Sequence, residues 1–133
     1  MAEERKHALL SASSAKRWIN CPPSARLSEA FPESTSDYAE EGTLAHDICE
    51  LKLRKLFIEP GMPEKTFKTA HNQLKKRGQY DPEMERYTDE YVDYIQKIAY
   101  SYPVPPKIVI EKEVHYGHVA RDGYGFSDCI ILS

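Results

Sequence analysis

Among the side chains of types that bind divalent metals or transfer protons, three stand out by their place in the sequence: His46, Glu111 and Asp128. Asp128 begins the apolar run that ends at Leu132, and a carboxylate buried there without a partner is costly, so it coordinates something, caps something or lies at the strand mouth. His46 lies in a helical pattern, where a lone histidine is more often structural. Glu111 interrupts a β-branched run, and its simplest interpretation is the solvent face of an edge strand.

The elements that position these side chains must fit one domain of ordinary size, because the chain has 133 residues and 41% are hydrophobic. The net charge of −3 provides no global basic field for nucleic acid. No apolar run reaches the ~20 residues that span a membrane, and the N-terminus lacks a signal-peptide pattern. We therefore expect a cytoplasmic protein without membrane contact. The odd number of cysteines, three, indicates reduced thiols.

Hydrophobic periodicity predicts a helical part over residues 11–102. A short helix is expected to begin near Ser11 or Ser13, because serine is a good N-cap. The other predicted segments are Ser24 to Ala30, a main helix from Thr43 to Phe57, a weakly helical stretch from Glu64 to Lys76, and Pro82 to Tyr100. The tyrosines of the last helix are expected to pack in the core, with an interface role left open.

The remaining pattern predicts a β-hairpin over residues 107–132. Lys107 to Tyr116 is β-branched and then alternating, Gly117 to Gly123 is a turn region, and Tyr124 to Leu132 is the second strand. The predicted fold class is therefore α+β, with several N-terminal helices followed by an antiparallel hairpin. The predicted organisation is one domain over residues 1–133.

Four motifs occur in order: LSASSAKRWINCPPSARL, YAEEGTLAHDICELKL, IVIEKEV and GYGFSDCIIL. This series resembles the RecB-like branch of the PD-(D/E)XK nuclease superfamily, and within it a phage- and prophage-associated group of nuclease-like proteins. The resemblance covers nearly the whole chain, and the region from Glu59 to Gln79 is the least diagnostic. It implies that the hairpin is the start of a truncated α/β nuclease core.

The resemblance implies that His46 and Asp128 are metal ligands, with Glu111 near the site, and that magnesium or manganese is the metal. The family also carries a Glu-x-Lys motif on the next strand, whereas this sequence stops five residues after Asp128. We therefore expect a vestigial site with weak metal binding and no hydrolysis by the chain alone. Some relatives hold an iron–sulfur cluster, but only Cys21 matches its cysteines. No cluster is expected, and Cys21 is expected to pack at the end of the first helix.

The resulting functional expectation is a phage- or mobile-element-derived nuclease-like protein in a bacterial host. It would act by binding a host defence protein or nucleoprotein complex, as an anti-CRISPR-type inhibitor does, and its acidic balance would suit a basic groove. The alternatives are a fragment of an active Mg/Mn-dependent RecB-like exonuclease, and a recombination accessory protein that binds DNA directly. The cations available for DNA would be Lys52, Arg54, Lys55, Lys75, Lys76 and Arg77. The free edge of strand 124–132 also predicts a homodimer.

Overall fold

Five α-helices precede two β-strands in this computed structural model, which describes residues 8–31 and 36–133. The two strands pair as an antiparallel hairpin, so the predicted α+β class is confirmed. The elements are α1 (Ala15–Asn20), α2 (Pro23–Ser28), α3 (Asp37–Leu53), α4 (Glu64–Lys75), α5 (Pro82–Tyr100), β1 (Lys107–His115) and β2 (Tyr124–Leu132). No helix in these described ranges is long and apolar enough to cross a membrane.

Chain contacts divide the described residues into two compact units. The first unit holds residues 8–31 and 112–127, and therefore includes α1, α2 and the tip of the hairpin. The second unit holds residues 36–111 and 128–133, and therefore includes α3, α4, α5 and the base of the hairpin. His46, Glu111 and Asp128 all belong to the second unit.

In the first unit, the hydroxyl of Tyr116 lies within hydrogen-bond distance of the carbonyls of Leu10 and Tyr124, at 3.0 and 3.1 Å. Gly123 is buried against the Tyr116 ring, and a Cβ at this position would overlap the ring carbons, so the turn requires glycine here. Cys21 directly follows α1 but is exposed. The expectation that Cys21 packs at the helix end is therefore wrong.

Helix α3 begins six residues before the predicted start of the main helix. Ser36 caps it, because the Ser36 hydroxyl accepts a hydrogen bond from the Ala39 amide at 3.2 Å. The helix continues beyond Leu53 as a π-helical turn over Arg54–Ile58, in which the Glu59 amide donates to the Arg54 carbonyl at 2.7 Å. The added residues extend α3 on the N-terminal side of His46.

The core of the second unit lies between α3 and its neighbours. One cluster of buried side chains joins α3 to the start of α5, and the other joins the end of α3 to the middle of α5 and the hairpin. Their buried members are Leu44, Ile48 and Met84 in the first cluster and Leu53, Val92 and Ile95 in the second. Ile110, Cys129 and Ile131 pack against the second cluster, so apolar packing positions the base of the hairpin over α3 and α5.

The tyrosines of α5 occupy a different position from the one expected. The buried residues of this helix are Met84, Thr88, Val92, Ile95 and Ala99. Tyr87 and Tyr94 are 55% and 62% exposed, and Tyr100 is also exposed, whereas Tyr91 is partly buried. The prediction of a tyrosine core is therefore wrong for most of these residues. Tyr87, Tyr91 and Tyr94 form a stripe about 90° around the helix from the buried face, as the helical repeat dictates.

Candidate metal centre

His46, Glu111 and Asp128 converge in the second unit, although each is carried by a different element. His46 lies in α3, Glu111 lies in β1 and Asp128 lies in β2. One ligand atom from each of the three side chains lies within 4.8 Å of the other two. His46 Nδ1 is 3.2 Å from Asp128 Oδ1, and both side chains are more than half exposed. The structure therefore brings together all three residues that the sequence singled out.

The backbone of Glu111 adopts a conformation that is rare for a residue with a side chain. Its φ angle is 48°, in the left-handed region, although it lies within β1. A non-glycine residue costs of the order of 1 kcal/mol or more in this conformation, and such residues concentrate at functional sites. This conformation therefore lies within β1 at the residue that faces His46 and Asp128.

The electrostatic surroundings of Glu111 disfavour its negative charge. Partial burial raises the pKa of the Glu111 carboxyl, and the nearby carboxylates of Asp128, Glu50 and Asp47 raise it further, while His46 lowers it. A cation placed among these groups would relieve that repulsion. The donor set of two carboxylates and one imidazole suits manganese, and its oxygen atoms suit magnesium.

The dimensions of the cluster also fit one ion. Ligand bonds to hard divalent cations are about 2.0–2.6 Å long, so two ligands on opposite sides of one ion are about 4–5 Å apart. The three ligand atoms all lie within 4.8 Å of one another, so one ion of this kind can reach all three.

A cavity of about 600 Å³ opens beside the three residues. Six carboxylates line it: Glu41, Glu50, Asp81, Glu83, Glu111 and Asp128. Tyr38, Tyr87 and Tyr91 contribute aromatic surface, and no lysine or arginine is present in the lining among residues 8–31 and 36–133. The cavity therefore has the charge of a site for a cation or for a basic group.

The two cysteines near the site have the properties of protonated thiols. Burial, together with Asp128 and Asp89, raises the pKa of Cys49 to about 11, although Lys52 opposes the shift. Burial and Asp128 also raise the pKa of Cys129. A thiolate is the form that attacks electrophiles and binds soft metals. Cys129 packs against the Leu53 cluster, and the raised pKa values disfavour a thiolate at either cysteine.

Most cations that the sequence offered for DNA binding are already paired. Lys52 Nζ lies 2.9 Å from Glu85 Oε2, 2.8 Å from Thr88 Oγ1 and 2.8 Å from Asp89 Oδ1, and its side chain is only 10% exposed. The other ion pairs are Arg54 with Glu50, Lys55 with Glu64, and Arg77 with Asp47. Of the six cations expected for DNA, only Lys75 and Lys76 make no ion pair within residues 8–31 and 36–133.

Two groups of residues near the site were not identified from the sequence. Glu50 lies four residues after His46 in α3 and lines the same cavity, and the i, i+4 spacing was an available signal. Tyr38 and Tyr87 also line the cavity. Their sequence spacing gave no indication of this, because it depends on how α3 packs against α5.

Comparison with known proteins assigns the chain to a family without assigning an activity. Residues 7–133 match the family described as "Protein of unknown function (DUF2800)", which covers nearly all of the chain. No solved structure matches it. The chain therefore belongs to the DUF2800 family.

Proposed function

We propose that this chain is a nuclease-like domain that contributes His46, Glu111 and Asp128 to a divalent metal centre acting on DNA phosphodiesters. The observation that carries the proposal is the convergence of one imidazole and two carboxylates, from three elements, within 4.8 Å. The order of the motifs that contain these residues, which resembles the RecB-like PD-(D/E)XK nucleases, supports the same function. Magnesium or manganese is the ion that the donor set favours.

Each residue has a definite part in this proposal. Asp128 and Glu111 supply negative oxygen ligands, and His46 supplies a neutral nitrogen ligand from Nδ1, the atom that faces Asp128. A divalent ion held there would supply Lewis-acid stabilisation of phosphate charge and a more acidic water. The apolar packing of Ile110 and Cys129, each adjacent in sequence to a proposed ligand, fixes the two strands and so orients Glu111 and Asp128 before any ion binds.

The test is a cleavage assay on linear double-stranded and single-stranded DNA with magnesium, with manganese and with EDTA. The resemblance alone led to an expectation of no hydrolysis, but because all three side chains converge we expect divalent-dependent cleavage that His46→Ala and Asp128→Ala each abolish. His118→Ala is the matched control, because His118 is exposed and belongs to the other unit. Cleavage that persists in EDTA or survives both substitutions would overturn the proposal.

A second candidate function is the binding of a basic protein segment, with hydrolysis lost. The observation that favours it is the cavity lined by six carboxylates and three tyrosines without lysine or arginine among the described residues. Carboxylates and aromatic rings both attract arginine and lysine, so a host defence nuclease with a basic groove is the kind of partner that fits. If folded protein binds manganese but cleaves neither double-stranded nor single-stranded DNA, this candidate is favoured over the first.

A further inference from the structure

The solvent-facing side of α4 differs in charge from the rest of this acidic chain. Four exposed lysines lie on it or directly after it: Lys65, Lys68, Lys75 and Lys76. With 3.6 residues per turn, these four side chains project within about 100° of the helix circumference. Thr69 and Asn72, which are exposed and uncharged, lie between them. We call this surface the basic face of α4.

Among the described residues, no acid forms an ion pair with a lysine of the basic face, although Lys68 and the Glu64 carboxylate attract each other weakly. Glu64 is the only acid in α4, and its carboxylate pairs with Lys55. The Lys55 ammonium lowers the pKa of Glu64, chiefly through their hydrogen bond. Lys65, Lys68 and Lys76 make no ion pair or hydrogen bond in the described residues, and Lys75 only approaches the Tyr80 ring at 5.7 Å. The four charges are therefore available to an external anion.

The opposite side of α4 is fixed to the second unit, so the basic face has a defined position. Leu74 packs against the Leu44 cluster, and the Phe67 ring stacks on His71 at 5.7 Å. Just after the helix, Arg77 Nη1 donates to Asp47 Oδ2 at 2.5 Å. Asp47 directly follows His46 in α3. The basic face thus ends at a contact with the turn of α3 that carries the proposed metal ligand.

The spacing of these charges suits a polyanion with a regular repeat. Lys65 and Lys76 are about 16 Å apart along the helix axis at 1.5 Å per residue. Duplex DNA carries a phosphate about every 3.4 Å of axis on each strand, so this length spans several phosphates. Lysine contacts phosphate as a point charge without reading the base sequence.

We propose that the basic face of α4 binds the phosphate backbone of DNA and holds it next to the α3 site, independently of base sequence. This inference deepens the proposed nuclease function, because it gives the surface on which the substrate would rest. It does not require a bound metal, so it is tested without one. An acidic protein is the competing occupant of such a surface, and the experiment distinguishes the two.

The experiment measures fluorescence anisotropy of a short fluorescein-labelled DNA duplex in EDTA, over salt concentrations from about 50 to about 200 mM. The test variant is Lys65→Gln/Lys68→Gln/Lys76→Gln, and glutamine keeps a helix propensity close to that of lysine. The control is Lys97→Gln/Lys107→Gln/Lys112→Gln, which changes three exposed lysines outside α4. Both variants change the net charge equally, so only the position of the charge differs.

We expect the test variant to bind the duplex at least about tenfold more weakly than the control at the lower salt concentration. The slope of log affinity against log salt should become shallower by about 2 to 3, because each lost phosphate contact removes about 0.9. Lys65→Arg/Lys68→Arg/Lys76→Arg should restore both values. Circular dichroism spectra that match the wild-type spectrum establish that the variants are folded.

Three outcomes overturn the proposal: no duplex binding by the wild-type protein, equal losses in the test and control variants, or equal affinities in wild type and the test variant. The first would favour an acidic protein as the occupant. A manganese titration of the same proteins separates this inference from the proposed function. Manganese binding without a loss of DNA affinity in the test variant contradicts only the α4 proposal. DNA affinity that depends on α4 without manganese binding contradicts only the metal centre.

Discussion

At the scale of single residues, Glu111 has the least favourable surroundings in the proposed metal centre. It combines a left-handed φ angle of 48° with a pKa raised by burial and by nearby acids. The sequence identified His46 and Asp128 through motif order and placed Glu111 near them. The left-handed φ angle was not predictable, because neither glycine nor asparagine stands at this position. It became visible only with the geometry of β1.

Glu111→Gln should stabilise the metal-free protein at neutral pH. A carboxyl whose pKa is raised on folding binds more protons in the folded state, so stability falls as pH rises through its ordinary pKa toward the raised one. Glutamine carries no charge at any of these pH values, so the substitution removes this loss of stability. The gain should be small, below about 1 kcal/mol, because the site is partly solvated.

Urea unfolding of both proteins in EDTA, at neutral pH and below the ordinary pKa of glutamate, measures this difference. The advantage of Glu111→Gln should shrink at the lower pH, where the glutamate is protonated in both states. Glu113→Gln is the control, because Glu113 is exposed and belongs to the other unit. A variant that is less stable than wild type at neutral pH would contradict the account.

At the scale of elements, a partly buried polar network links α3 to α5. Lys52 on α3 contacts Glu85, Thr88 and Asp89 on α5. Burial favours the neutral form of Glu85, but the hydrogen bond and charge of Lys52 outweigh it, so the Glu85 pKa is lowered overall. The Tyr80 hydroxyl also donates to Glu85 at 3.0 Å. The network fixes the register of the two helices that line the proposed site.

Lys52→Met should lower the free energy of unfolding by about 1–2 kcal/mol, because the partly buried Glu85 loses its lysine and retains only His71 and the Tyr80 hydroxyl. Chemical denaturation at neutral pH measures the loss. Lys97→Met on the exposed face of α5 is the control and should change stability by less than about 0.5 kcal/mol. Equal stability of the two variants would show that the network contributes little.

The same network should make the protein sensitive to acid. A carboxyl with a pKa lowered on folding contributes stability above its unfolded pKa, and this contribution is lost as pH falls through the folded pKa. Unfolding free energy should therefore decrease as pH falls below the ordinary glutamate range, and Glu85→Gln should reduce that decrease. A pH series of urea denaturation curves measures it. An unchanged pH dependence in Glu85→Gln would contradict the assignment.

The helices and the hairpin were largely predictable because their apolar spacing and their Pro and Ser boundaries are strong signals. The predicted main helix begins six residues late, because Asp37–Gly42 carries little apolar periodicity, and the true start is marked only by the Ser36 cap and the acids Asp37 and Glu40. The tyrosines of α5 were wrongly assigned to the core. Tyrosine is amphipathic and occurs both in cores and on surfaces. The helical period alone therefore does not distinguish the buried stripe of α5 from the adjacent stripe that carries the tyrosines.

At the scale of the whole molecule, the hairpin leaves strand edges without partners. The sheet of the described chain has two strands, so β1 and β2 each have one unpaired edge. Leu132 at the end of β2 is 50% exposed. Unpaired edges are sites for pairing with another strand, and we propose that the edge of β2 pairs with that of a second copy.

Sedimentation equilibrium measures this association directly. A dimer of this chain is the expected result. Leu132→Lys replaces an exposed apolar side chain of β2 with a charged one and should weaken the dimer. Val104→Lys is the control, because Val104 is an exposed apolar residue outside the strands. A wild-type protein that stays monomeric at high concentration would contradict the dimer.

The central claim is that His46, Glu111 and Asp128 form one divalent metal site, and manganese binding tests it most directly. Calorimetric titration of the metal-free protein with manganese, with electron paramagnetic resonance to count bound ions, should show one site. Asp128→Asn and His46→Ala should each weaken binding by at least about tenfold, whereas His118→Ala should leave it unchanged. Equal manganese affinity in all four proteins, or no binding to the wild-type protein, would contradict the claim.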